Sequence, residues 1–476
     1  MNLDLDKIPK LYVDLDGTFI KSDILYESLV AAVKNNPWVI FLCVFWLMKG
    51  KSHLKHKLSQ RADIACGLLP LNMEFYSFLV AEKEKNRTIV LATASNFKYA
   101  KEICNQYPLF DSFISSDQYT NLKGEAKLKK ISSLSDTFAY AGNSSEDFVI
   151  FEKADERYLV NPTRKARRMS SKADITTVFD GKKKGMGIWV KQLRIHQWLK
   201  NILIFVPLLV SGKFMELEFL SLSLLGFLSF SLLASATYIV NDLADLENDR
   251  HHVRKNSRPL AAGKISIFDA IILAGVLLGI SFGIASMIDG MFVFVLMAYL
   301  FTTLLYTLKI KQYIGLDVIT LASLYTIRIF AGAAALSIMV SFWLFSFSMF
   351  CFFSLALVKR CAELKSHDGQ DKTRVEGRDY RSMDYNILVN LGTSSALLAV
   401  LMFCFYTNSN ALSNQYQDPT LLWLIVPALC YWLIRMWIKT NRGEMHDDPI
   451  IFSLTDKGSL MTIVFIVLIT LIAQLL

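Results

Sequence analysis

The stretch NDLADLENDRHHVRKNSRPL, residues 241–260, places acidic residues directly before basic ones and follows an uncharged run that predicts a membrane span. Asn241, Asp245 and Asp249 are four residues apart, so on a continuing helix they share one face, with Asp242 beside it. Carboxylates that converge repel one another unless a cation lies between them, and Mg²⁺, which prefers oxygen ligands, is the natural candidate. A solvated helix end with incidental charges is the alternative. The spacing and the basic residues that follow favour a metal and phosphate site at a membrane boundary.

The composition of the chain excludes several classes of protein. With 476 residues, 53% of them hydrophobic, the chain is too apolar for one ordinary soluble domain. The net charge of +9 would suit nucleic acid, a membrane surface or a phosphorylated substrate, and the placement of the basic residues favours the last two over nucleic acid. The seven cysteines are scattered and form no CxxC motif, which predicts neither a disulfide framework nor a zinc site. The N-terminus lacks a signal-peptide pattern, so we expect it in the cytosol.

A change of composition near residue 190 divides the chain. Residues 1–160 read as a soluble α/β domain, with LYVDLDG, TIVLATAS and FAYAGNSS as buried strands, and residues 161–190 form a strongly basic linker. Residues 191–476 predict an all-α membrane domain of nine transmembrane helices. The apolar segments are approximately 199–212, 218–240, 267–287, 291–308, 316–336, 341–358, 386–407, 420–438 and 459–476.

The distribution of basic residues predicts the orientation of these spans. The loops after the second, fourth, sixth and eighth spans contain eighteen Lys and Arg residues, whereas the opposite loops contribute only Lys213. Because basic loops stay on the cytosolic side, we expect a multi-pass protein of a bacterial inner (plasma) membrane with its N-terminal domain in the cytosol.

The motif NDxxDxxxD, followed by KNSRPLAAGKIS, resembles the first signature of the UbiA superfamily of intramembrane prenyltransferases. The resemblance runs from RIHQWLKN onward and implies nine helices around a cavity open to lipid. It also implies that Mg²⁺ holds a substrate diphosphate, with Arg258 and Lys200 as anion contacts. The metal ligands implied by the resemblance are Asn241, Asp242, Asp245 and Asp249, and of these Asp245 and Asp249 are also expected to be catalytic.

Residues 306–333, YTLKIKQYIGLDVITLASLYTIRIFAGA, resemble the second signature of the family. Tyr306, Lys309 and Asp317 stand in recognisable places, which implies a catalytic Asp317 and a phosphate contact from Lys309. The sequence departs from the family at Leu321, where many members have a second aspartate. The missing carboxylate weakens the case for the usual metal-assisted ionisation of a prenyl diphosphate.

Four features together resemble the polyprenyl-phosphate phosphoribosyltransferase branch of this superfamily: LRIHQWLKN, the single aspartate of the second signature, IRIFAGA and KRCAEL. Arg328 lies inside the fifth span, where a guanidinium is costly unless it faces a polar cavity or an anion. Lys359 and Arg360, in SLALVKRCAEL, end the sixth span. The resemblance implies that all three bind substrate phosphate. The alternatives are a structural partner for a buried carboxylate at Arg328 and topology-setting charge at Lys359 and Arg360.

In the N-terminal domain, VDLDGTF stands at a strand end and resembles the first motif of the haloacid dehalogenase superfamily, whose fold is a Rossmann-like α/β domain with a helical cap. Asp14 would be the nucleophile, and Asp16 would protonate the leaving oxygen and then activate water. Thr93 and Lys127 would bind phosphate, with Lys123 a rival for the second role. Asp14, Asp147 and Asn143 would hold Mg²⁺. A fold retained without catalysis is the alternative.

The segment NPWVIFLCVFWLMKGKSHLKHKL, residues 36–58, is apolar for about one helix and then basic. It is too short for an obvious span. Either a cap helix lying in the membrane interface or a buried cap core would explain it.

The sequence therefore predicts a Mg²⁺-dependent membrane transferase acting on a polyprenyl phosphate or diphosphate. The favoured reaction transfers phosphoribose from phosphoribosyl diphosphate to a polyprenyl phosphate, after which the N-terminal domain removes the sugar phosphate. One alternative is an aromatic prenyltransferase with an aromatic acceptor and a regulatory or unrelated phosphatase-like domain. Another is a non-enzymatic lipid-binding scaffold.

Overall fold

A computed structural model describes residues 8–171, 174–181, 185–366, 379–409, 412, 415–445 and 448–475. The chain forms two compact units. The first comprises Met1–Gln192 and Asp242–Ile272, and the second comprises Leu193–Asn241 and Leu273–Leu476. We call Asp242–Ile272 the acidic loop. Asn410 and part of the basic loop after the sixth predicted span, 367–378, lie outside the described residues.

The first unit is built on a six-stranded sheet in the order β3-β2-β1-β4-β5-β6, in which every pairing is parallel. The strands are β1 Lys10–Val13, β2 Ile89–Asn96, β3 Ser112–Ser116, β4 Phe138–Gly142, β5 Glu156–Val160 and β6 Thr177–Phe179. The helices are α1 Ile24–Asn35, α2 Val39–Met48, α3 Lys51–Ser59, α4 Met73–Glu84, α5 Phe97–Gln106, α6 Glu125–Ser132, α7 Phe148–Phe151, α8 Arg164–Ser170 and α9 Met186–Leu193.

Both faces of this sheet are covered, as is usual for parallel sheets, whose strands are near-continuous apolar runs. Side chains alternate between the faces, so Leu11 and Val13 pack in one core and Tyr12 in the other. Helices α1 to α3 lie between β1 and β2 in the chain and form the cap. The predicted Rossmann-like domain with a helical cap is therefore confirmed.

The remaining helices include the predicted membrane spans. They are α10 Val206–Val210, α11 Leu217–Ala244, α12 Leu246–His251, α13 Ile267–Ser286, α14 Gly290–Leu308, α15 Leu316–Ala335, α16 Phe342–Ser366, α17 Tyr385–Thr407, α18 Ile425–Asn441, α19 Pro449–Thr455 and α20 Lys457–Leu475. Among the described residues, eight helices are long and apolar enough to cross a membrane. A ninth span is possible if a bent helix pair counts as one.

The bent pair is where the first span was predicted. Met186–Leu193 and Ile195–Val210 meet at 45° instead of forming one straight helix. Arg194, between them, has left-handed backbone dihedrals, and the segment Ile195–Phe205 is a 3₁₀ helix. A non-glycine residue in that conformation cannot continue a right-handed helix, so the chain bends there. The nine-span architecture is thus confirmed as eight helices and one broken segment.

Helix α15 lies at the centre of the second unit. Its apolar window is 72% buried, against 22% for α20 and 28% for α14. One core surrounds Tyr325 and Leu355, and another surrounds Phe230 and Phe292. The charged side chains of α15, Asp317 and Arg328, are therefore enclosed by protein.

Candidate active sites

Four segments bring polar residues to the carboxyl edge of the sheet in the first unit. Asp14 and Asp16 follow β1, Thr93 lies in β2, Lys127 lies in α6, and Asn143 and Asp147 follow β4; together we call them the edge site. Because β1 pairs with both β2 and β4, their carboxyl ends meet. Ligand sites of open α/β sheets form at this edge.

Lys127 is the cation that contacts the predicted nucleophile. Its Nζ donates to Asp14 Oδ1 at 2.7 Å and to the Tyr140 hydroxyl at 3.1 Å, and its side chain is only 3% exposed. The rival Lys123 instead pairs with Glu146. Burial raises the pKa of Asp14 to about 6, with Lys127 opposing the shift. The geometry therefore favours Lys127 over Lys123 as the phosphate-binding residue.

Asp16, two positions after the predicted nucleophile Asp14, is held by two hydrogen bonds. Its two carboxylate oxygens accept from the Ile24 amide and from the Ser95 hydroxyl, each at 2.8 Å. Burial raises the pKa of Asp16 to about 7, and the neighbouring Asp23 adds to that rise. Thr93 is fully buried, and its Oγ1 accepts from the Ser95 amide at 2.9 Å. A carboxyl group with a pKa in this range can both donate and accept a proton near neutral pH.

The predicted metal ligands of the edge site provide only oxygen donors. Asp147 accepts from the Tyr140 hydroxyl at 2.8 Å and from the Ser144 amide at 2.8 Å. A Cβ at Gly17, whose φ is +75°, would lie 2.1 Å from Asn143 Nδ2, so the Asn143 side chain lies directly over this turn. Two carboxylates and an amide oxygen suit Mg²⁺, and the residues present therefore fit that ion.

Two residues near the edge site were missed by the sequence reasoning. Tyr140 bridges Lys127 and Asp147 through its hydroxyl group. Lys55, on the cap helix α3, donates to the Ala94 carbonyl at 2.7 Å. Burial lowers the pKa of Lys55, while Asp16 and Asp23 raise it. The sequence indicates Lys55 only through the basic stretch after α2, and such a stretch could equally bind lipid headgroups.

The acidic loop belongs to the same compact unit as the edge site. Glu27 of α1 and Arg250 of α12 form a bidentate ion pair with distances of 2.6 and 3.1 Å, and both side chains are less than a tenth exposed. Arg250 Nε also donates to the Ala261 carbonyl. The aromatic rings of Tyr26 and Phe268 lie 5.4 Å apart. The loop that carries the first signature is therefore anchored to the cap.

Arg258 lies between two of the aspartates in the acidic loop. Its Nη1 donates to Asp242 Oδ1 at 3.2 Å and to Asp249 Oδ2 at 2.5 Å. Asp242 Oδ2 accepts from Gln192 at 3.0 Å. Burial raises the pKa of Asp249, against the opposing effect of Arg258. Arg258 thus places a positive charge between two of the predicted Mg²⁺ ligands, and an ion would have to share those ligands with it or displace it.

The predicted continuous helix through the first signature is broken. Helix α11 ends at Ala244, Asp245 has the non-helical dihedrals φ −97° and ψ 10°, and α12 begins at Leu246. The Asp249 amide still donates to the Asp245 carbonyl at 2.8 Å, which preserves a helical turn between these two residues. Asn241 belongs to the second unit, where its Oδ1 accepts from the Thr307 hydroxyl at 3.2 Å.

In the second unit, two residues predicted to act on substrate bind each other. Arg360 of α16 contacts Asp317 of α15 through Nε at 2.5 Å and Nη2 at 3.1 Å. The side chains are 1% and 0% exposed. The Tyr306 hydroxyl donates to Asp317 at 2.8 Å, and Glu363 also pairs with Arg360. Asp317 of the second signature is therefore bound by an arginine of the next helix, which it shares with Glu363.

The other predicted phosphate contacts are dispersed. Lys200 forms a buried ion pair with Asp448, a residue that the sequence reasoning missed. Lys359 is half-buried and interacts electrostatically with both members of that pair, whereas Lys309 is exposed at the end of α14.

Arg328 is buried against an amide and aromatic rings. Its Nε donates to Asn201 Oδ1 at 2.9 Å, and its guanidinium carbon lies 5.3 Å from the ring centroids of Phe230 and Tyr299 and 5.5 Å from that of Tyr325. These contacts stabilise the guanidinium inside the bundle, and no carboxylate among the described residues pairs with it. Among the described residues, no group of three or more His, Cys, Asp or Glu side chains is placed to hold a metal ion.

The apolar helices define an integral, multi-pass membrane protein that carries an α/β unit. Residues 202–466 match the UbiA prenyltransferase family, and the chain belongs to that family. The uncharacterized protein y4nM of Sinorhizobium fredii is 36% identical over 465 residues, which are 96% of this chain and 90% of that protein.

One further relative and one solved structure are similar to part of the chain. The decaprenyl-phosphate phosphoribosyltransferase of Mycobacterium tuberculosis is 36% identical over 179 residues, which are 37% of this chain and 59% of that protein. A UbiA homolog from Archaeoglobus fulgidus, solved bound to GPP and Mg²⁺, covers 60% of this chain and 99% of its own, with a TM-score of 0.46 and 17% identity.

Proposed function

We propose that the chain transfers phosphoribose from phosphoribosyl diphosphate to a polyprenyl phosphate and then removes the 5-phosphate at the edge site. The observation that carries this proposal is the Asp317–Arg360 pair. With Leu321 in place of a second aspartate, the second signature has one carboxylate, and Arg360 binds it. This arrangement does not favour metal-assisted ionisation of a prenyl diphosphate. The similarity to decaprenyl-phosphate phosphoribosyltransferases supports a different donor.

In the first step, a phosphate oxygen of the lipid attacks C1 of the ribose, and the C1–O bond to the diphosphate breaks. Asp242, Asp245 and Asp249 are not grouped around one ion in the described residues, so they would have to move together to hold Mg²⁺, which when bound would supply charge neutralisation for the diphosphate. Arg258, which already bridges two of these carboxylates, would turn its donors toward the diphosphate.

In the second step, Asp14 attacks the phosphorus atom of the 5-phosphate, and the sugar oxygen leaves with a proton from Asp16. Water then hydrolyses the aspartyl phosphate as Asp16 takes a proton back. Lys127 binds the phosphate beside Asp14, and Asp147 with Asn143 would complete a Mg²⁺ site. The shared compact unit supports consecutive use of the acidic loop and the edge site.

We also propose that the N-terminal unit faces the cytosol at a bacterial inner membrane, because basic residues concentrate in the loops of that side. For the domains we propose residues 1–160 as the phosphohydrolase-like domain, 161–190 as the juxtamembrane linker and 191–476 as the transferase domain. The linker also contributes α8 and strand β6 to the α/β unit. The acidic loop is a segment of the transferase domain that packs with the N-terminal unit.

Doubly labelled phosphoribosyl diphosphate tests both steps in membranes supplied with polyprenyl phosphate. With carbon label in the ribose and phosphorus label in the 5-phosphate, the wild type should place only carbon label in the lipid. Asp14→Asn should place both labels there, and Asp249→Asn neither. The exposed Asp136→Asn is the matched control and should behave as wild type.

The outcomes separate the alternatives. Lipid from the wild type that retains both labels would exclude the hydrolytic step and leave the transfer intact. Absence of ribose from the lipid, with prenylation of an aromatic acceptor, would instead establish the aromatic prenyltransferase.

A further inference from the structure

Helix α2 of the cap exposes an apolar surface on the first unit. Only Val39 of its ten residues is buried. The exposed apolar residues of this segment are Trp38, Ile40, Phe41, Val44, Phe45, Leu47 and Met48, with exposed fractions from 50% to 81%. We call them the α2 surface. A buried cap core, one of the two explanations left open by the sequence, is therefore excluded for most of this helix.

Only three side chains of α2 pack in a hydrophobic cluster among the described residues of the first unit. Val39, Cys43 and Trp46 recur at helical spacing and pack in a small cluster that includes Ala32 and Leu58. The other faces of the helix have no comparable packing within the described part of the first unit. Contiguous exposed apolar surface of this kind marks an interaction site.

The charges around the α2 surface favour an anionic lipid layer as its occupant. Residues 28–62 contain no Asp or Glu, whereas Lys34, Lys49 and Lys51 flank the helix. The ten-residue helix is about 15 Å long, about half the hydrocarbon thickness, so it can lie in an interface but cannot span it. Trp and Phe at its surface suit the headgroup boundary.

We propose that α2 inserts its exposed apolar side chains into the surface of an anionic bilayer and docks the cap on lipid. The membrane-spanning helices of the same chain ensure that a bilayer is always nearby. Because α2 continues through Gly50 into α3, which carries Lys55 near the edge site, docking would present that site to phosphates at the membrane surface. The docking itself does not depend on the proposed reaction.

Fluorescence quenching in the reconstituted full-length protein tests the docking. An environment-sensitive dye is attached to Phe45→Cys in a background without native cysteines, and a matched dye to Leu134→Cys, which is exposed elsewhere on the first unit. The Phe45→Cys label should be quenched by nitroxides on lipid acyl chains and protected from aqueous iodide. The Leu134→Cys label should show the opposite behaviour.

Lipid composition provides the second arm of the test. Acyl-chain quenching at Phe45→Cys should be stronger in vesicles with anionic lipid than in purely zwitterionic vesicles. Equal acyl-chain quenching in the two kinds of vesicle would overturn the preference for anionic lipid. Iodide quenching at both labels would overturn the docking. Protection from both quenchers would also overturn it, because protein rather than lipid would then cover the helix.

A photoreactive phenylalanine at position 45 avoids the removal of native cysteines. Irradiation should yield lipid adducts, and adducts only to protein would contradict the proposal. This measurement uses the otherwise native chain, so it remains decisive if the cysteine-free background fails to fold.

Discussion

Replacing Glu27 with Gln should loosen the acidic loop. Arg250 makes two charged bonds to Glu27, and the two side chains are 8% and 5% exposed, so the variant leaves a buried guanidinium without its counter-ion. Removal of one partner from a buried ion pair costs roughly 3–5 kcal/mol. Since the Gln oxygen still accepts one hydrogen bond, we expect the lower limit, about 3 kcal/mol, which corresponds to an opening equilibrium about 10² times more favourable.

Hydrogen exchange of the full-length protein measures this opening directly. Amides of α12, Leu246–His251, should exchange about 10² times faster in Glu27→Gln, while the amides of β1 and β4 keep their protection. Glu74→Gln, at an exposed position on α4, makes the same chemical change and should leave α12 unaffected. Unchanged exchange of α12 in Glu27→Gln would refute the claim that this pair anchors the loop.

Three further predictions follow from buried or exposed charge. Lys55→Met should raise the KM for phosphomonoester hydrolysis about 10- to 150-fold with a smaller change in kcat, because one charged contact near the edge site is worth about 1.5–3 kcal/mol. An unchanged KM would exclude a role in binding. Arg360→Met should lower the apparent Tm, because it leaves the buried carboxylate of Asp317 without its counter-ion. The double variant with Asp317→Leu should recover much of the lost Tm. If it does not, the broken ion pair is not the cause of the loss. In a cysteine-free background, Asn408→Cys should react with an impermeant thiol reagent added outside intact cells, whereas Lys264→Cys should react only after lysis. The reverse labelling pattern would show that the topology is inverted.

The features that the sequence predicted well depend on local patterns. The ends of β1 and β4 were identified by short buried runs followed by Asp14 and Asn143, and parallel pairing then brings those ends together. The membrane helices follow from apolar length alone. Their agreement with the structure reflects periodicity and hydropathy, which are properties of contiguous residues.

The features that the sequence did not predict depend on long-range packing. Lys200 pairs with Asp448, and Arg360 pairs with Asp317, each from a different part of the chain. The sequence predicts both cations as substrate contacts, because spacing alone cannot distinguish an anion in the substrate from a carboxylate on another helix. The break at Asp245 depends likewise on the surroundings of that residue, since nothing in its sequence forbids a helix.

The anchoring of the acidic loop to the cap has a consequence for biosynthesis. Glu27 and Arg250 are separated by 223 positions, and the segment Leu193–Asn241 of the other unit is synthesised between the two parts of the first. At about 5–20 residues per second, the ribosome needs several seconds to pass from Gln192 to Ile272. During that interval Glu27 of the nascent cap lacks its ion-pair partner Arg250. The last tertiary contacts of the cap form only after helix α11 has been made. The N-terminal unit therefore completes folding as a late product of translation, although its strands are made first.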